Sequence, residues 1–433
     1  MNVTRRPAVS PRPAATAPAG SGYAPAGSGY APVAVVDVDL ARPFEFRGPA
    51  GPGPALPAAP VLALVRLRGR PLGLITVTGG HEGTPEDLWR SVAGTARRRF
   101  PLPHAGTPAR GSSPFAPSIS VIVATHNRPE MLRECLTSLL RVEYPDFEVI
   151  VVDNAPADDA AERLVRGAYG GRVRYVREPL PGLAHAHNRG LRRARGEIAA
   201  FTDDDTLVDP GWLAALAEGF ARDPDIGCVT GLIVPAELET EAQAALEHHG
   251  GFAKGFVPRT WSPHHPPKDP LFPFAAGRFG SGTNMAFRTD TLRALGGFDP
   301  ATGTGTPARG GDDLLAFFRV LTSGHTLAYQ PEAIVWHRHR RTQDALDAQA
   351  FGYGAGLGAY LTGALVHDPR MVPALVRRLP RGVRYALAQA HRKAEADSRR
   401  SRRLARLELC GLLYGPIGYL RSRRRNRTGH RPV

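Results

Sequence analysis

Three consecutive carboxylates at the end of an apolar run are the residues best suited to chemistry in this chain. Asp203, Asp204 and Asp205 follow residues 197–201, a segment typical of a buried strand. Adjacent acids repel one another, so a folded chain seldom gathers them at a strand end without a cation or a donor nearby. Two carboxylates two residues apart suit a hard divalent ion that also binds phosphates. The alternative interpretation is a solvated acidic turn.

Other predicted strands also end in polar residues. The apolar segment 119–124 leads into Thr125, Asn127 and Arg128, and the segment 147–152 leads into Asp153. Helical spacing of apolar residues separates these strands, which predicts a mostly parallel, doubly wound α/β sheet with ligands beyond the carboxyl ends of its strands. Taken singly, each residue has another explanation: Asn127 could cap a helix, and Asp153 could end a strand in a turn.

Seven sequence blocks, in this order, resemble the family 2 glycosyltransferases, an inverting group with the GT-A fold. The blocks are 120–140, 149–155, 182–190, 201–213, 280–288, 296–300 and 310–319. The resemblance implies a nucleotide-diphospho-sugar donor, a Mn²⁺ or Mg²⁺ cofactor, and transfer of the sugar to a hydroxyl acceptor with inversion.

The resemblance also implies roles for individual residues. It places Asp205 on the metal, with Asp203 and Asp204 beside the ribose and the metal-bound water and Asp203 as a further candidate ligand. The nucleotide pocket is implied to contain Thr125, Asn127, Arg128, Asp153 and Asn188. His187 departs from the family pattern, which usually has Arg at that position, and a neutral His would weaken a phosphate contact there.

An inverting transfer needs one carboxylate that takes the proton of the acceptor hydroxyl. Asp312 and Asp313 follow the glycine-rich residues 303–311 and precede the predicted helix 314–321. By resemblance the second acid, Asp313, is the base. The alternative is that both acids only stabilise a helix N-terminus.

Three further residues are candidates: His337 by resemblance, and Gly282 and Asn284 from a glycine-rich segment. His337, which follows the strand-like residues 333–336, is a third candidate ligand, because imidazole is acceptable to Mn²⁺. His339 is a neighbour that could be mistaken for it, and a surface histidine is the alternative. Gly282 and Asn284 are expected to line the donor sugar, since glycine lets the backbone approach a ligand closely.

Composition limits the class and the location. The chain has 433 residues and only three cysteines, far apart in sequence, which argues against a disulfide framework and favours a reducing cytosol. We expect neither a secretory signal nor a membrane span, because no apolar run is long enough. The predicted localisation is cytoplasmic. A peripheral position at the inner face of the plasma membrane is a further hypothesis.

Changes in composition divide the chain into five parts. Residues 1–32 are rich in Pro, Ala, Gly and Ser, contain a tandem APAGSGY repeat, and are expected to be disordered. A small α+β module over 33–100 and a linker over 101–117 are expected next. The GT-A domain is predicted over 118–340 and a helical, basic extension over 341–433.

The positive charge lies almost entirely at the C-terminus. From residue 368 onward there are 18 Lys and Arg against 4 Asp and Glu, a difference of 18 − 4 = +14 within a whole-chain charge of +15. Basic clusters beside leucines favour an anionic membrane surface, and a solvated basic helix is the alternative. We expect no nucleic-acid partner, since no aromatic platform accompanies the charge.

The leading hypothesis is a metal-dependent inverting glycosyltransferase acting on a glycan or lipid-linked acceptor, as in cell-envelope synthesis. The alternative from another class is an inactive GT-A-like protein that binds glycans or membranes, against which the complete acid set argues. A nucleotidyltransferase would favour a Gly-rich phosphate loop after the first strand, and residues 125–128 contain no glycine.

Overall fold

The computed structural model describes residues 30–49, 51–52, 60–78, 84–101, 116–382, 384 and 399–429. The predicted disordered segment up to residue 29 and the predicted linker over 102–115 lie outside the described residues. The same holds for residues 385–398 of the basic extension.

The N-terminal module is a five-stranded sheet covered by one helix. Its strands, β1 to β5, are Ala34–Asp39, Arg47–Gly48, Gly51–Pro52, Val61–Leu67 and Arg70–Val77, in the order β3-β2-β1-β4-β5. The helix α1, Pro85–Arg99, begins where the Thr84 hydroxyl accepts a hydrogen bond from the backbone N–H of Asp87. The antiparallel pair β4–β5 and the helix α1 give this module both strand and helix.

The module is joined to the main domain by a shared core and a buried ion pair. Arg66 of β4 lies 2.7 Å from the carboxylates of both Asp37 and Asp209. Leu62 and Leu64 pack in one apolar cluster with residues of the main sheet, including Trp336. The module therefore packs against the strand Thr326–His337 of the main sheet.

The main sheet has nine strands. These strands, β6 to β14, are Ile119–Thr125, Phe147–Asn154, Val173–Glu178, Ile198–Asp203, Thr206–Val208, Ile226–Pro235, Arg259–Trp261, Met285–Arg288 and Thr326–His337. Their order is β10-β14-β11-β13-β9-β6-β7-β8, and β12 pairs with β14. The predicted α/β class is confirmed. The pairing is parallel from β9 to β8 and between β11 and β14, and it is antiparallel elsewhere.

Helices cover both faces of this sheet, as the doubly wound pattern predicts. In the main domain and beyond, α2 to α10 are Pro129–Leu139, Ala160–Tyr169, Leu183–Arg193, Trp212–Ala221, Glu241–His249, Thr289–Ala294, Asp312–Thr322, Gln343–His367 and Arg399–Gly429. Helices α2, α3 and α5 pack on one face, and α4, α7, α8 and α9 on the other. Because alternate strand residues point to opposite faces, each strand contributes to both cores.

The two long C-terminal helices pack against each other through glycines. A Cβ added at Gly354 of α9 would collide with the Glu408 carbonyl of α10, and one added at Gly411 would collide with the Phe351 carbonyl. The α9 backbone at Gly356 in turn packs against Gly311, the residue before α8. The extension therefore fixes the start of the helix that carries Asp312 and Asp313. Within the described ranges, no helix is long and apolar enough to cross a membrane.

Candidate active site

The polar ends of three neighbouring parallel strands meet at one edge of the sheet. Thr125 at the end of β6 is in register with Asp153 of β7, and Ala124 is in register with Asp203 of β9. The Thr125 hydroxyl donates a hydrogen bond of 2.8 Å to Asp204. Since β6 lies between β7 and β9, the predicted nucleotide residues and the acidic triplet border one crevice.

The first two acids of the triplet have separate hydrogen-bond partners. Asp203 accepts a hydrogen bond of 2.7 Å from the Thr283 hydroxyl. Asp204 accepts from Thr125 and, at 3.2 Å, from the Arg128 guanidinium. Burial, followed by repulsion from Asp205, raises the pKa of Asp203, and the same two causes raise the pKa of Asp204 to about 6. Burial and mutual repulsion therefore both disfavour the ionised form of these two acids.

Asp205 differs, because cations surround it. Arg128 lies 3.1 Å and Arg340 3.7 Å from its Oδ2, and His337 Nε2 lies 3.4 Å from its Oδ1. Burial alone would raise the pKa of Asp205, but His337, Arg340 and Arg128 together hold it well below its usual range. Among the described residues, the buried Oδ1 has no hydrogen-bond partner. Asp205 is therefore the ionised member of the triplet.

His337 reaches Asp205 through strand pairing. It ends β14 and is in register with Thr206 of β10, and the backbone N–H of Arg338 donates to the Asp205 carbonyl at 2.9 Å. The described part of the chain contains no group of three or more His, Cys, Asp or Glu arranged to hold a metal. One carboxylate and one imidazole that face each other fit Mn²⁺ when water and phosphates complete its coordination.

Asp313 contacts the short segment 282–283, which also contacts the triplet. Its Oδ2 accepts a hydrogen bond of 2.8 Å from the Gly282 N–H, and its Oδ1 accepts one of the same length from the Leu314 N–H. Gly282 directly precedes Thr283, the partner of Asp203. Burial, followed by repulsion from Asp312 and then from Asp203, raises the pKa of Asp313 to about 6. Asp313 and the triplet therefore share one site.

The Asp312 side chain contacts a buried histidine. Asp312 is itself buried, and its Oδ2 lies 3.4 Å from Nδ1 of His187. The His187 ring is itself 1% exposed and packs against Phe201 and Phe298. Asp312 and His187 therefore pair with each other inside the fold, the weakened phosphate contact expected at His187 is consistent with this burial, and the catalytic role of Asp312 stays a prediction.

The residues at or just beyond the ends of the first two strands of the domain, Asp153 and Asn127, are held by neighbouring groups. Asp153 accepts a hydrogen bond of 2.8 Å from the Tyr175 hydroxyl, and its buried Oδ1 has no hydrogen-bond partner within the described ranges. Asn127 has a left-handed backbone, φ 55°, and accepts from the Ala157 N–H. An unpaired carboxylate oxygen suits an N–H donor of a nucleotide base.

The side chains of Asn188 and Asn284 form hydrogen bonds within the fold. The Asn188 amide exchanges two 2.8 Å hydrogen bonds with the backbone of Phe298. The Asn284 amide accepts from the Trp212 indole and donates to two carbonyls of β11 and the β14 region, and the residue is fully buried. Their polar atoms hold strands and loops together, and their contacts with the nucleotide-sugar stay predictions.

Several residues of the site were not found by sequence reasoning. Thr283 and Arg340 contact the acids, and Tyr175 supports Asp153. Thr283 lies inside a block that was quoted for its glycines, and Arg340 lies three residues beyond His337. The basic run that follows β14 was the available signal for Arg340. No feature of the sequence indicated Tyr175, because its position beside Asp153 follows from the pairing of β7 with β8.

Sequence comparisons identify the domain that carries this site. A family profile described as "Glycosyl transferase family 2" matches residues 120–296. The chain contains a family 2 glycosyltransferase domain. The match begins in β6 and ends just after α7, so it includes the acidic triplet and the residues 282–284, while Asp313 and His337 lie beyond it.

Relatives of this domain include named glycosyltransferases. A pre-mycofactocin glycosyltransferase of Mycobacterium tuberculosis is 26% identical over 272 residues, 62% of this chain and 52% of the relative. A poly-beta-1,6-N-acetyl-D-glucosamine synthase of Staphylococcus epidermidis is 32% identical over 114 residues, 26% of this chain and 28% of the relative. The chain therefore spans at most about half the length of these two relatives.

Among solved structures, the chain is similar to a mannosyltransferase from Pyrobaculum calidifontis that was determined with GDP-Man and Mn²⁺. The identity is 21%, the coverage is 79% of this chain and 95% of the other, and the TM-score is 0.45.

Proposed function

We propose that this protein is a metal-dependent, inverting glycosyltransferase that moves a sugar from a nucleotide-diphospho-sugar to a hydroxyl acceptor. The observation that carries the proposal is the shared crevice of Asp205, His337 and Asp313. Residues 282 and 283, which are consecutive, contact Asp313 and Asp203 respectively. A donor whose diphosphate lies at Asp205 would therefore present its sugar towards Asp313.

The donor side is assigned to the strand ends. Asp153 would accept an N–H of the base, and Asn127 would border the same pocket. Asp205 and His337 would hold Mn²⁺ or Mg²⁺, which when bound neutralises the charge that develops on the departing diphosphate. Arg128 and Arg340 lie within 4 Å of Asp205 and supply further positive charge beside the diphosphate.

Asp313 is assigned as the general base. Two backbone N–H groups fix its carboxylate, so its orientation is set before the acceptor binds. It would take the proton of the acceptor hydroxyl while that oxygen attacks the anomeric carbon from the face opposite the diphosphate. One carboxylate opposite the leaving group suits a single displacement, which inverts the anomeric centre.

The proposed base predicts a pH profile. Because burial and Asp312 raise the pKa of Asp313 to about 6, the carboxyl is protonated below that pH and ionised above it. We expect kcat/KM to be level above pH 7 and to fall about tenfold for each pH unit well below 6. Initial rates at saturating Mn²⁺ measure this, and an unchanged kcat/KM down to pH 4.5 would exclude Asp313 as the base.

The donor and the need for a cation are tested together. A panel of UDP-, GDP- and dTDP-sugars is added to the protein with Mn²⁺ or with EDTA, and the melting temperature is measured. We expect one nucleotide class to raise the melting temperature with Mn²⁺ and to lose most of that effect in EDTA, because a ligand stabilises the state that binds it. Shifts that EDTA leaves unchanged would remove the cation from the proposal.

We also propose a glycan or lipid-linked acceptor and a peripheral position at the inner face of the plasma membrane. One face of α10 carries Leu409, Leu413, Ile417 and Leu420, which are 57%, 72%, 51% and 48% exposed. Exposed arginines continue this face at both ends: Arg402, Arg406, Arg424 and Arg427. An apolar stripe between cationic ends matches the interior and the headgroups of an anionic bilayer.

The α10 stripe gives a direct test. We expect the double variant Leu409→Glu/Leu413→Glu to bind phosphatidylglycerol vesicles about tenfold more weakly or worse, because each buried leucine contributes about 1.5–3 kcal/mol. Vesicle sedimentation measures this, with Val257→Glu as the control, since Val257 is an exposed apolar residue elsewhere. Equal binding by the wild type and the double variant, or equal binding to neutral phosphatidylcholine, would contradict the membrane position.

A further inference from the structure

A loop of residues 299–311 leads to the proposed base, and the two long C-terminal helices pack on it. Asp299 begins the loop, and its Oδ2 accepts a hydrogen bond of 2.9 Å from the Tyr419 hydroxyl of α10. His367 Nε2, at the end of α9, lies 2.9 Å from the same oxygen. Tyr419 is 1% exposed. One carboxylate therefore ties the start of the loop to both helices.

The contacts with these helices continue along the middle of the loop. A Cβ added at Gly418 of α10 would lie 2.7 Å from the carbonyl oxygen of Pro307, a clash that glycine avoids. The guanidinium of Arg309 lies 5.1 Å from the centre of the Phe351 ring of α9, within the range of a cation–π contact. The helices therefore contact the loop well beyond its first residue.

The loop depends on such contacts because its own backbone is permissive. Gly303, Gly305 and Gly311 have left-handed φ angles of 95°, 83° and 88°. Glycine reaches many other conformations at little cost, so fixing these residues in one conformation costs conformational entropy. Contacts with the surrounding helices must offset that cost. The shape of the loop therefore depends on how α9 and α10 pack against it.

The end of the loop is the start of the helix that carries the proposed base. The Gly311 carbonyl accepts a hydrogen bond of 3.0 Å from the Leu315 N–H, so the first turn of α8 begins on the loop. Within this turn, the Asp313 carboxylate accepts from the Gly282 N–H at 2.8 Å. A displacement of the loop end would shift this carboxylate relative to the segment that contacts the acidic triplet.

We propose that Tyr419, through its hydrogen bond to Asp299, holds the loop in the shape that aims the Asp313 carboxylate at the acceptor. Tyr419 is then a positioning residue for the transfer step, and α10 completes the acceptor side of the crevice. This inference rests on the proposed function in naming Asp313 as the base.

The Asp299 contact is of a strong kind. Burial alone would raise the pKa of this carboxyl, but hydrogen bonds from His367, the Ala301 N–H and Tyr419 lower it, so the acceptor is ionised at neutral pH. Hydrogen bonds to an ionised acceptor are stronger than those between neutral groups. Loss of the buried hydroxyl would leave the carboxylate with fewer donors and the loop with one fewer restraint.

The shape of the loop is tested without substrate by hydrogen–deuterium exchange. We expect Tyr419→Phe, which keeps the ring, to speed amide exchange in residues 300–311 about tenfold, the order of a lost hydrogen bond to a charged group. The control is Tyr414→Phe, the same change on the same helix, at a ring that packs 5.7 Å from that of Phe351. Equal exchange of the loop in both variants would overturn the inference. An increase spread evenly over α10 would also overturn it, because the hydroxyl would then only anchor the helix.

The link to the base is tested by a double-mutant cycle. The rate is nucleotide release, with water as the acceptor, from the sugar nucleotide that raises the melting temperature most. We expect Tyr419→Phe to lower kcat about tenfold with little change in the donor KM, because displacing a reacting group by about 1 Å can cost about 100-fold. In the Asp313→Asn background the same change should have no further effect, since both act on one step.

The outcomes of the cycle separate the two proposals. An equal fold-loss from Tyr419→Phe in the wild type and in Asp313→Asn would overturn the inference, because the hydroxyl would then act independently of the base. A rate that Asp313→Asn leaves unchanged would refute the proposed base itself, whatever the exchange experiment shows for the loop.

Discussion

Replacing Asp205 by Ala is expected to reduce sugar transfer by at least about 10²- to 10³-fold and to abolish the Mn²⁺-dependent rise in melting temperature. The magnitude is that of removing one preorganised group that stabilises transition-state charge. Asp205 is the member of the triplet that His337, Arg340 and Arg128 keep ionised, so its loss removes the charge that we propose as the cation's ligand. Nucleotide release from the donor selected by the panel measures the rate.

The fold should tolerate this change. Asp205 raises the pKa of both neighbouring acids, so its removal relieves repulsion within the triplet. The control is Asp290→Ala, a carboxylate whose side chain is 99% exposed and lies 3.8 Å from Arg293 on its own helix. Retention of both the transfer rate and the Mn²⁺ effect in Asp205→Ala would show that the cation lies elsewhere.

Replacing Asp313 by Asn should lower kcat by about 10²- to 10⁴-fold while leaving the donor-induced rise in melting temperature intact. This range is the usual contribution of a general base. The amide keeps one acceptor for the Gly282 or Leu314 N–H, so the crevice retains most of its shape. The donor side is assigned to other strands, which is why donor binding should survive.

The adjacent acid supplies the matched comparison. Asp312→Asn changes a carboxylate that faces the buried His187 instead of the crevice. We expect it to lower the melting temperature more than Asp313→Asn and the rate far less. If the two rate effects were reversed, the roles assigned to these neighbours would have to be exchanged.

The sequence was most informative where a local pattern determines a position in space. Apolar runs that end in Asp153 or Asp203 gave strands whose carboxyl ends meet, because parallel neighbours bring those ends to one edge. The mixed pairing of the other half of the sheet was not accessible, since it depends on long-range crossovers such as that between β11 and β14.

Side-chain direction was the least accessible property. Asn188, Asn284 and Asp312 occupy motif positions, yet each points into the fold because its partners come from distant segments. Neither spacing nor residue type distinguishes a buried amide from one that faces a ligand. The contact of Glu247 with His339 is a similar case, since the two residues are far apart in sequence.

The most direct test of the central claim is an anomalous difference map from crystals soaked with Mn²⁺ and the sugar nucleotide that stabilises the protein most. We expect one peak within coordination distance of Asp205 Oδ1 and His337 Nε2, with the sugar lying between that peak and the Asp313 carboxylate. A nucleotide bound in the crevice with no manganese peak beside Asp205, or with its sugar turned away from Asp313, would contradict the proposed enzyme.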